Sequence, residues 1–414
     1  MNILNTTSIL LTLAAVFSYL NYRFFKLPTT IGIMLISLAL SLLLILASKL
    51  GVLDITHQVT ELIKGIDFHT TLINGMLSFL LFAGALHINL NELRKQKWVI
   101  LILATIGVVS STFIIGAVSW FILDALQLNV SFIYCLLFGA LISPTDPIAV
   151  IGILKTVGVP KSLEVKIAGE SLFNDGVAVV VFLVLLGVAT GQSEVSFSSI
   201  SLLFIQEAIG GAIYGFIIGG LCFYMLRSVN NYQVEVLLTL ALVMGGYALA
   251  SMLHISGPIA MVVAGLLIGN HGRRFAMSDS TREHLDMFWE LVDEILNAIL
   301  FLLIGMEVLV LVYQAEYFIA AMVLIPVILL SRFIAVSVPI KLMKNKRAFS
   351  PGAIRLLTWG GLRGGISVAL ALSLPHGAQR ETILAITYVV VIFSILVQGL
   401  TLGSLAKRVQ QENA

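Results

Sequence analysis

The chain has 414 residues, of which 59% are apolar and 11% charged, with a formal net charge of +2. Soluble domains carry about 25% charged residues, so a mean hydropathy of +1.04 leaves too little polar surface to face water on every side. This balance excludes a disordered chain, a nucleic-acid binder and a string of soluble domains. Only two cysteines occur, Cys135 and Cys222, both inside apolar runs, which excludes a disulfide scaffold and a cysteine-based metal centre.

A bilayer core about 30 Å thick takes about 20 helical residues to cross. Apolar runs begin near residues 5, 29, 70, 98, 130, 163, 199, 234, 257, 286, 316, 351 and 381. They predict an all-α polytopic protein of the lipid bilayer with about thirteen transmembrane helices. The first run has no cationic n-region and no small-residue cleavage site before Asn21, so it reads as a retained helix rather than a signal peptide. With the N-terminus outside, inside connections carry Arg23, Arg94, Lys95, Lys155, Lys161, Arg227, Arg273, Lys344 and Arg347, while outside ones carry Lys49, Lys64 and Arg380. The positive-inside rule thus predicts a multi-pass cell-membrane protein with its N-terminus outside and its C-terminus cytoplasmic.

An odd number of spans permits an inverted repeat around a central linker, a plan typical of secondary transporters. Residues 1–190 would form the first repeat, 199–227 the linker helix and 234–408 the second repeat, with no soluble regulatory domain. Two runs in matching positions are interrupted. The fifth contains Ser143-Pro144-Thr145-Asp146-Pro147 and the twelfth Gly360-Gly361-Leu362-Arg363-Gly364-Gly365. Proline removes a backbone donor and glycine weakens a helix. Unwound backbone at membrane depth survives only where protein or a water-filled cavity satisfies it, so two crossing broken helices are expected at the binding site.

A charge at the centre of a span costs about 2.5–3.5 kcal/mol on insertion scales and is functional by default. Asp146 falls in the first break, Glu170 and Asp175 in the sixth run, and Arg363 in the second break. Glu170 and Asn174 are four apart and share a helix face; Ser171 and Asp175 share the next. The expectation is that Glu170 and Asn174 turn toward Arg363, with Glu170 and Arg363 as a core ion pair, while Ser171 and Asp175 face Thr145 and Asp146. Hydroxyl, carboxylate and freed carbonyl oxygens suit a small hard cation such as Na+. A carboxylate there holds a proton or a cation but not both, which is enough for antiport.

The Thr145-Asp146-Pro147 break, the run Gly169-Glu170-Ser171-Leu172-Phe173-Asn174-Asp175 and the stretch Gly361-Leu362-Arg363-Gly364-Gly365 resemble the monovalent cation:proton antiporter family. The likeness is to its sodium/proton exchangers of the bacterial and archaeal NhaP-like type, and it covers essentially the whole transmembrane domain. It implies the NhaA-like antiporter fold, a homodimer, and a core domain that moves in elevator fashion against a dimerisation domain. It further implies Asp175 as the ion- and proton-carrying acid, and Asp146, Thr145 and Ser171 around the ion, with Na+ held by those four. Asn174 stands beside Asp175 where other members have a second acid, a feature of electroneutral one-for-one exchange. One departure is visible: relatives often carry an acid within a Leu-Phe-acid-Gly-Ala stretch, where Ala83 stands here, and the choice among Na+, Li+ and K+ stays open.

Other polar residues have plainer readings. Asp286, Glu290, Asp293 and Glu294, followed by Asn297, fit acids at a helix N-terminus or a negative cytoplasmic funnel that gathers cations. Glu307 reads as interfacial, and Glu207 and Arg332 lack an evident partner. His87 and His254 fall near span ends, as pH sensors or plain interfacial residues. The pairs Gly210-Gly211, Gly219-Gly220 and Gly245-Gly246 read as close helix packing, and Pro258 starts the ninth run.

The leading reading is a secondary antiporter exchanging cytoplasmic Na+ for external protons to support pH homeostasis, with no cofactor and no enzymatic reaction. No Gly-x-x-x-x-Gly-Lys-Ser/Thr occurs, so ATP drives nothing here. An intramembrane aspartyl protease could use Asp146 and Asp175 as a proton-sharing pair, but the proline-flanked break and Arg363 have no purpose in that scheme. A cation channel would call for a repeated carbonyl filter, which this sequence lacks.

Overall fold

Within lipid, every backbone N–H and C=O must find a partner inside the protein, which leaves helices as the default for so apolar a chain. The computed structural model describes residues 3–51, 75–191, 205–311, 314–344 and 349–412. Among them all regular elements are helical, and the one β-type contact is an isolated bridge between Asp146 and Leu362. The expected starts near residues 70 and 199, and the expected positions of Lys64 and Arg347, lie outside the described residues.

The helices follow the apolar runs. α1 (Ile3–Leu20) and α2 (Thr29–Lys49) are joined through a π-turn, and α3 (Leu77–Leu86) is short. α4 (Leu90–Ile102) passes through the π-turn Leu103–Gly107 into α5 (Val108–Ala125). The fifth run is two half-helices, α6 (Phe132–Ile142) and α7 (Ile148–Val157), followed by the long α8 (Lys161–Ala189). Then come α9 (Gly211–Arg227), α10 (Tyr232–Met252), α11 (Gly257–Leu267), α12 (Asp279–Glu307) and α13 (Ala315–Met343). The twelfth run is again split, into α14 (Ala353–Trp359) and α15 (Gly365–Leu372), and the chain ends with α16 (Ala378–Phe393) and α17 (Leu400–Gln411), joined by the π-turn Ser394–Gly399. Among the described residues, 8 continuous helical segments are long and apolar enough to cross a membrane, and Leu77–Leu86, Phe132–Ile142, Ile148–Val157 and Gly257–Gly272 are shorter apolar helices.

Local chemistry sets the boundaries. The Asn89 and Asn231 side chains accept from the free N–H groups that open α4 and α10, and Ser256 and Ser278 do the same for α11 and α12. Pro258 sits in the first turn of α11, where its missing donor costs nothing. Gly158, at φ +75°, ends α7 in the left-handed conformation that a side chain disfavours.

Packing forms two hydrophobic clusters. The larger includes Ile33, Phe138, Leu324 and Tyr388 from α2, α6, α13 and α16. The smaller includes Phe82, Cys222, Val243, Met261 and Trp289 from α3, α9, α10, α11 and α12. Trp289 anchors the second: its ring lies 4.7 Å from that of Phe82, and its N–H donates to Thr239 Oγ1 at 3.1 Å. Glycines bring α9 against α11. A Cβ on Gly215 would stand 2.4 Å from the Ala260 carbonyl oxygen, and one on Gly211 would stand 2.7 Å from that of Ser256. Gly220 and Gly245 instead face open space, so the expected packing role holds for only part of the glycine pairs. Gly215→Val should therefore push the helices apart at a cost of about 1–3 kcal/mol. A thermal melt followed by size-exclusion chromatography should show the loss, with Gly220→Val nearly silent; equal melting of the two variants would refute the packing account.

Candidate functional site

The two broken helices cross. Pro144 and Pro147 cannot donate, so α6 stops at Ile142 and the helix resumes only at Ile148. At the crossing, the Asp146 N–H donates to the Leu362 carbonyl at 2.8 Å. The approach is so close that a Cβ on Gly364 would lie 2.3 Å from Asp146 Oδ2, so glycine is required there. Asp146 Oδ1 accepts from the Ile148 N–H at 2.9 Å, which places a carboxylate at the positive end of α7.

The carbonyls freed at the opposite ends are met by cations. Arg363 Nη1 donates to the Ser143 and Pro144 carbonyls at 2.7 and 2.9 Å, closing the C-terminal end of α6. Arg332 does the same for α14, donating from Nε and Nη2 to the Leu357 carbonyl at 3.3 and 3.2 Å. The π-turn of the last run adds two side chains. Gln398 donates to the Trp359 carbonyl at 3.0 Å, and Ser394 Oγ accepts from the Arg363 N–H at 2.9 Å. Three of the four half-helices, α6, α7 and α14, thus meet a fixed counter-charge or donor at the crossing.

The expected core ion pair is corrected by this geometry. Glu170 meets Arg332 rather than Arg363: Arg332 Nη2 donates to Glu170 Oε2 at 3.0 Å, and Nη1 donates to Oε1. Both partners are buried. Arg332 therefore gains the partner that sequence could not name, while Arg363 is engaged by the Ser143 and Pro144 carbonyls. Asn174 is also re-aimed. It faces the first break, donating from Nδ2 to Thr145 Oγ1 at 2.9 Å and accepting from the Thr145 N–H at 3.4 Å. Ser171 Oγ lies 3.0 Å from Thr145 Oγ1. Asn174 and Ser171 together hold the unwound Thr145 in place.

A cavity of about 1500 Å³ opens beside this crossing. Thr145, Asp146 and Asp175 reach its wall, with Ala83 and Leu172 beside them; Ser171 and Asn174 lie one layer behind. No hydrogen bond is made to the Asp175 carboxylate among the described residues, although Asp175 is only 8% exposed. The same cavity is lined by Glu290, Asp293, Glu294 and Asn297 of α12. Lys155, Lys161, Arg273 and Arg282 line it too, and Arg273 pairs with Asp286, so the mouth is mixed in charge rather than uniformly negative. Glu307, at the end of α12, is buried, as are Val308 and Leu309 after it. Glu207 is half-buried, and its backbone carbonyl accepts from the Ser256 N–H.

Ser394 and Gln398 escaped the sequence reading. A serine and a glutamine in an apolar run carry no signal until the π-turn aims them at the second break. Arg332 did carry one, since nine residues separate it from Lys341, about 13 Å along a helix and too far to reach the interface.

Comparison with known proteins places this architecture. The chain is 52% identical over 410 residues to the Na+/H+ antiporter NhaP of Pseudomonas aeruginosa, covering 98% of this chain and 97% of that protein. It is 36% identical over 391 residues to the Na+/H+ antiporter NhaH of Halobacillus dabanensis, covering 93% of each. Its fold superimposes on the sodium proton antiporter MjNhaP1 of Methanocaldococcus jannaschii with a TM-score of 0.76 at 19% identity, over 99% of both chains. The transmembrane sodium/hydrogen exchanger family profile matches residues 10–408, and the chain is a member of that family of membrane transporters.

Proposed function

We propose that the chain is a secondary antiporter that exchanges cytoplasmic Na+ for external H+, with Asp175 carrying either ion in turn. The observation that carries this reading is the Asp175 carboxylate, without a hydrogen-bond donor, on a cavity wall beside Asp146 at the crossing of two broken helices. Asp146, Asp175 and Thr145 offer the oxygen ligands, and Ser171 and Asn174 steady Thr145 behind them. The relatives named as Na+/H+ antiporters support Na+ as the cation.

Charge at the crossing supports one-for-one exchange. Asp146, Asp175 and Glu170 stand against Arg332 and Arg363, which leaves one formal negative charge. One Na+ or one proton neutralises it, so both loaded forms are neutral. The unloaded form keeps an uncompensated carboxylate that is costly to carry past lipid-facing gates. We also propose elevator-type movement that carries the site on the cavity wall from one side of the membrane to the other. We further propose inverted repeats over 1–190 and 234–408 around a linker at 199–227, a homodimer in the cell membrane, and an outside N-terminus with a cytoplasmic C-terminus.

Sealed proteoliposomes with an inside-acid gradient and a pH-sensitive dye test the proposal. Added Na+ should collapse the gradient, choline should not, and clamping the voltage should change nothing. Failure of Na+, Li+ and K+ alike, with folded protein, would reject antiport, while a voltage-dependent collapse would reject the charge count. Ala83, fully buried on the cavity wall, offers a second check. Ala83→Glu adds a carboxylate to the cavity wall shared with Asp146 and Asp175 and should shift the apparent KM for Na+ several-fold. Unchanged kinetics would put Ala83 outside that route.

A further inference from the structure

The face of α12 that borders the cavity holds a polar pair that the exchange site does not use. Asn297 is 2% exposed, and its Nδ2 donates to the Asp293 carbonyl at 2.8 Å, yet its Oδ1 has no donor. A buried amide oxygen without a partner is unfavourable unless something else supplies a positive charge. Asp293 lies one turn earlier on the same face, about 6 Å along the axis. Both line the cavity that holds Asp146 and Asp175, and Asp293 lies within electrostatic reach of Asp146. One turn beyond Asn297, Leu300 sits where a Cβ on Gly365 would be only 2.5 Å from its Cδ1, so this face leads directly to the second break.

We propose that the Asp293 carboxylate and Asn297 Oδ1 form a second, transient site for a monovalent alkali cation on α12, which the ion occupies between the mouth and the Asp146–Asp175 site. The inference deepens the antiport reading and rests on it for the ion's direction of travel. One carboxylate and one amide oxygen, completed by water, match the modest charge of an alkali ion; a calcium site takes six to eight oxygens and more negative charge. The position also offers a way past the basic side chains at the mouth. Lys155 and Lys161 line the same cavity and repel an entering cation, whereas Glu290, Asp293 and Glu294 draw it along α12.

The test uses the full chain and two readouts. Crystals of the Asp175→Asn protein soaked in Tl+ should show anomalous density within reach of Asn297 Oδ1, and Asp175→Asn/Asp293→Asn should lose it. No density at Asp293 would overturn the site. In liposomes, Asp293→Asn and Asn297→Leu should raise the cytoplasmic-side KM for Na+ several-fold with a smaller change in maximal rate, and Asn297→Asp should restore the KM. A fall in maximal rate and melting temperature with no change in KM would mean that the pair is structural and would refute the site. If wild-type protein exchanges no Na+ at all, the antiport reading fails, but the Tl+ density still decides the second site by itself.

Discussion

Asp175→Asn is expected to reduce Na+-driven proton movement to the background of empty liposomes while leaving yield and melting temperature close to wild type. The effect is large because this is the only carboxylate at the crossing, among the described residues, that has neither a fixed counter-charge nor a hydrogen-bond donor. Asp146 is bound to the Ile148 N–H, and Glu170 is bound to Arg332. An asparagine at 175 has similar volume and cannot bind a proton at neutral pH, so neither half of the cycle can load. The fold should tolerate the change, since removing a charge from a nearly buried position relieves a desolvation cost rather than breaking a pair. The result is read by the gradient-collapse assay together with a thermal melt. Exchange retained at half the wild-type rate would remove Asp175 from the mechanism and leave Asp146 as the carrier.

The parts of this site that the sequence revealed are those where one residue type admits one physical outcome. Proline cannot donate and glycine has no Cβ, so the two breaks were legible at Pro144, Pro147 and Gly364. Charges within apolar runs marked Asp146, Glu170, Asp175 and Arg363. What could not be read was which neighbour each face meets. Glu170 and Asn174 do share a helix face, as their spacing requires, but they are separated by one turn, about 6 Å along α8. That distance suffices for Glu170 to meet Arg332 on α13 and for Asn174 to meet Thr145 in the first break. Arg363 stood in the more conspicuous motif, yet its guanidinium is drawn to the C-terminal carbonyls of α6, which only the folded crossing brings within reach.

The pair that replaced the expected one carries the other large effect. Glu170→Gln should cost about 3–5 kcal/mol, the range for removing one partner of a buried ion pair. The loss leaves Arg332 buried without its carboxylate and places two guanidinium groups at the crossing against fewer acids. Arg332→Ala should be at least as damaging, since it strands Glu170 and also removes the donor to the Leu357 carbonyl at the end of α14. Arg332→Lys is the discriminating variant. An ammonium cannot make the two-pronged contact with Glu170 while donating to Leu357, so it should recover only part of the loss. Arg363→Ala, by contrast, removes the donor to the Ser143 and Pro144 carbonyls but leaves the Glu170–Arg332 pair whole. The two arginines should therefore differ in how far their loss overlaps that of Glu170. Glu170→Gln/Arg332→Ala should melt little lower than Arg332→Ala alone, because neither partner is left stranded. Glu170→Gln/Arg363→Ala should melt clearly lower than Arg363→Ala alone, because Arg332 still loses its carboxylate. Melting temperatures of the four single variants and these two double variants measure this directly. If Arg363→Ala overlaps Glu170→Gln as fully as Arg332→Ala does, the assignment of Glu170 to Arg332 is wrong.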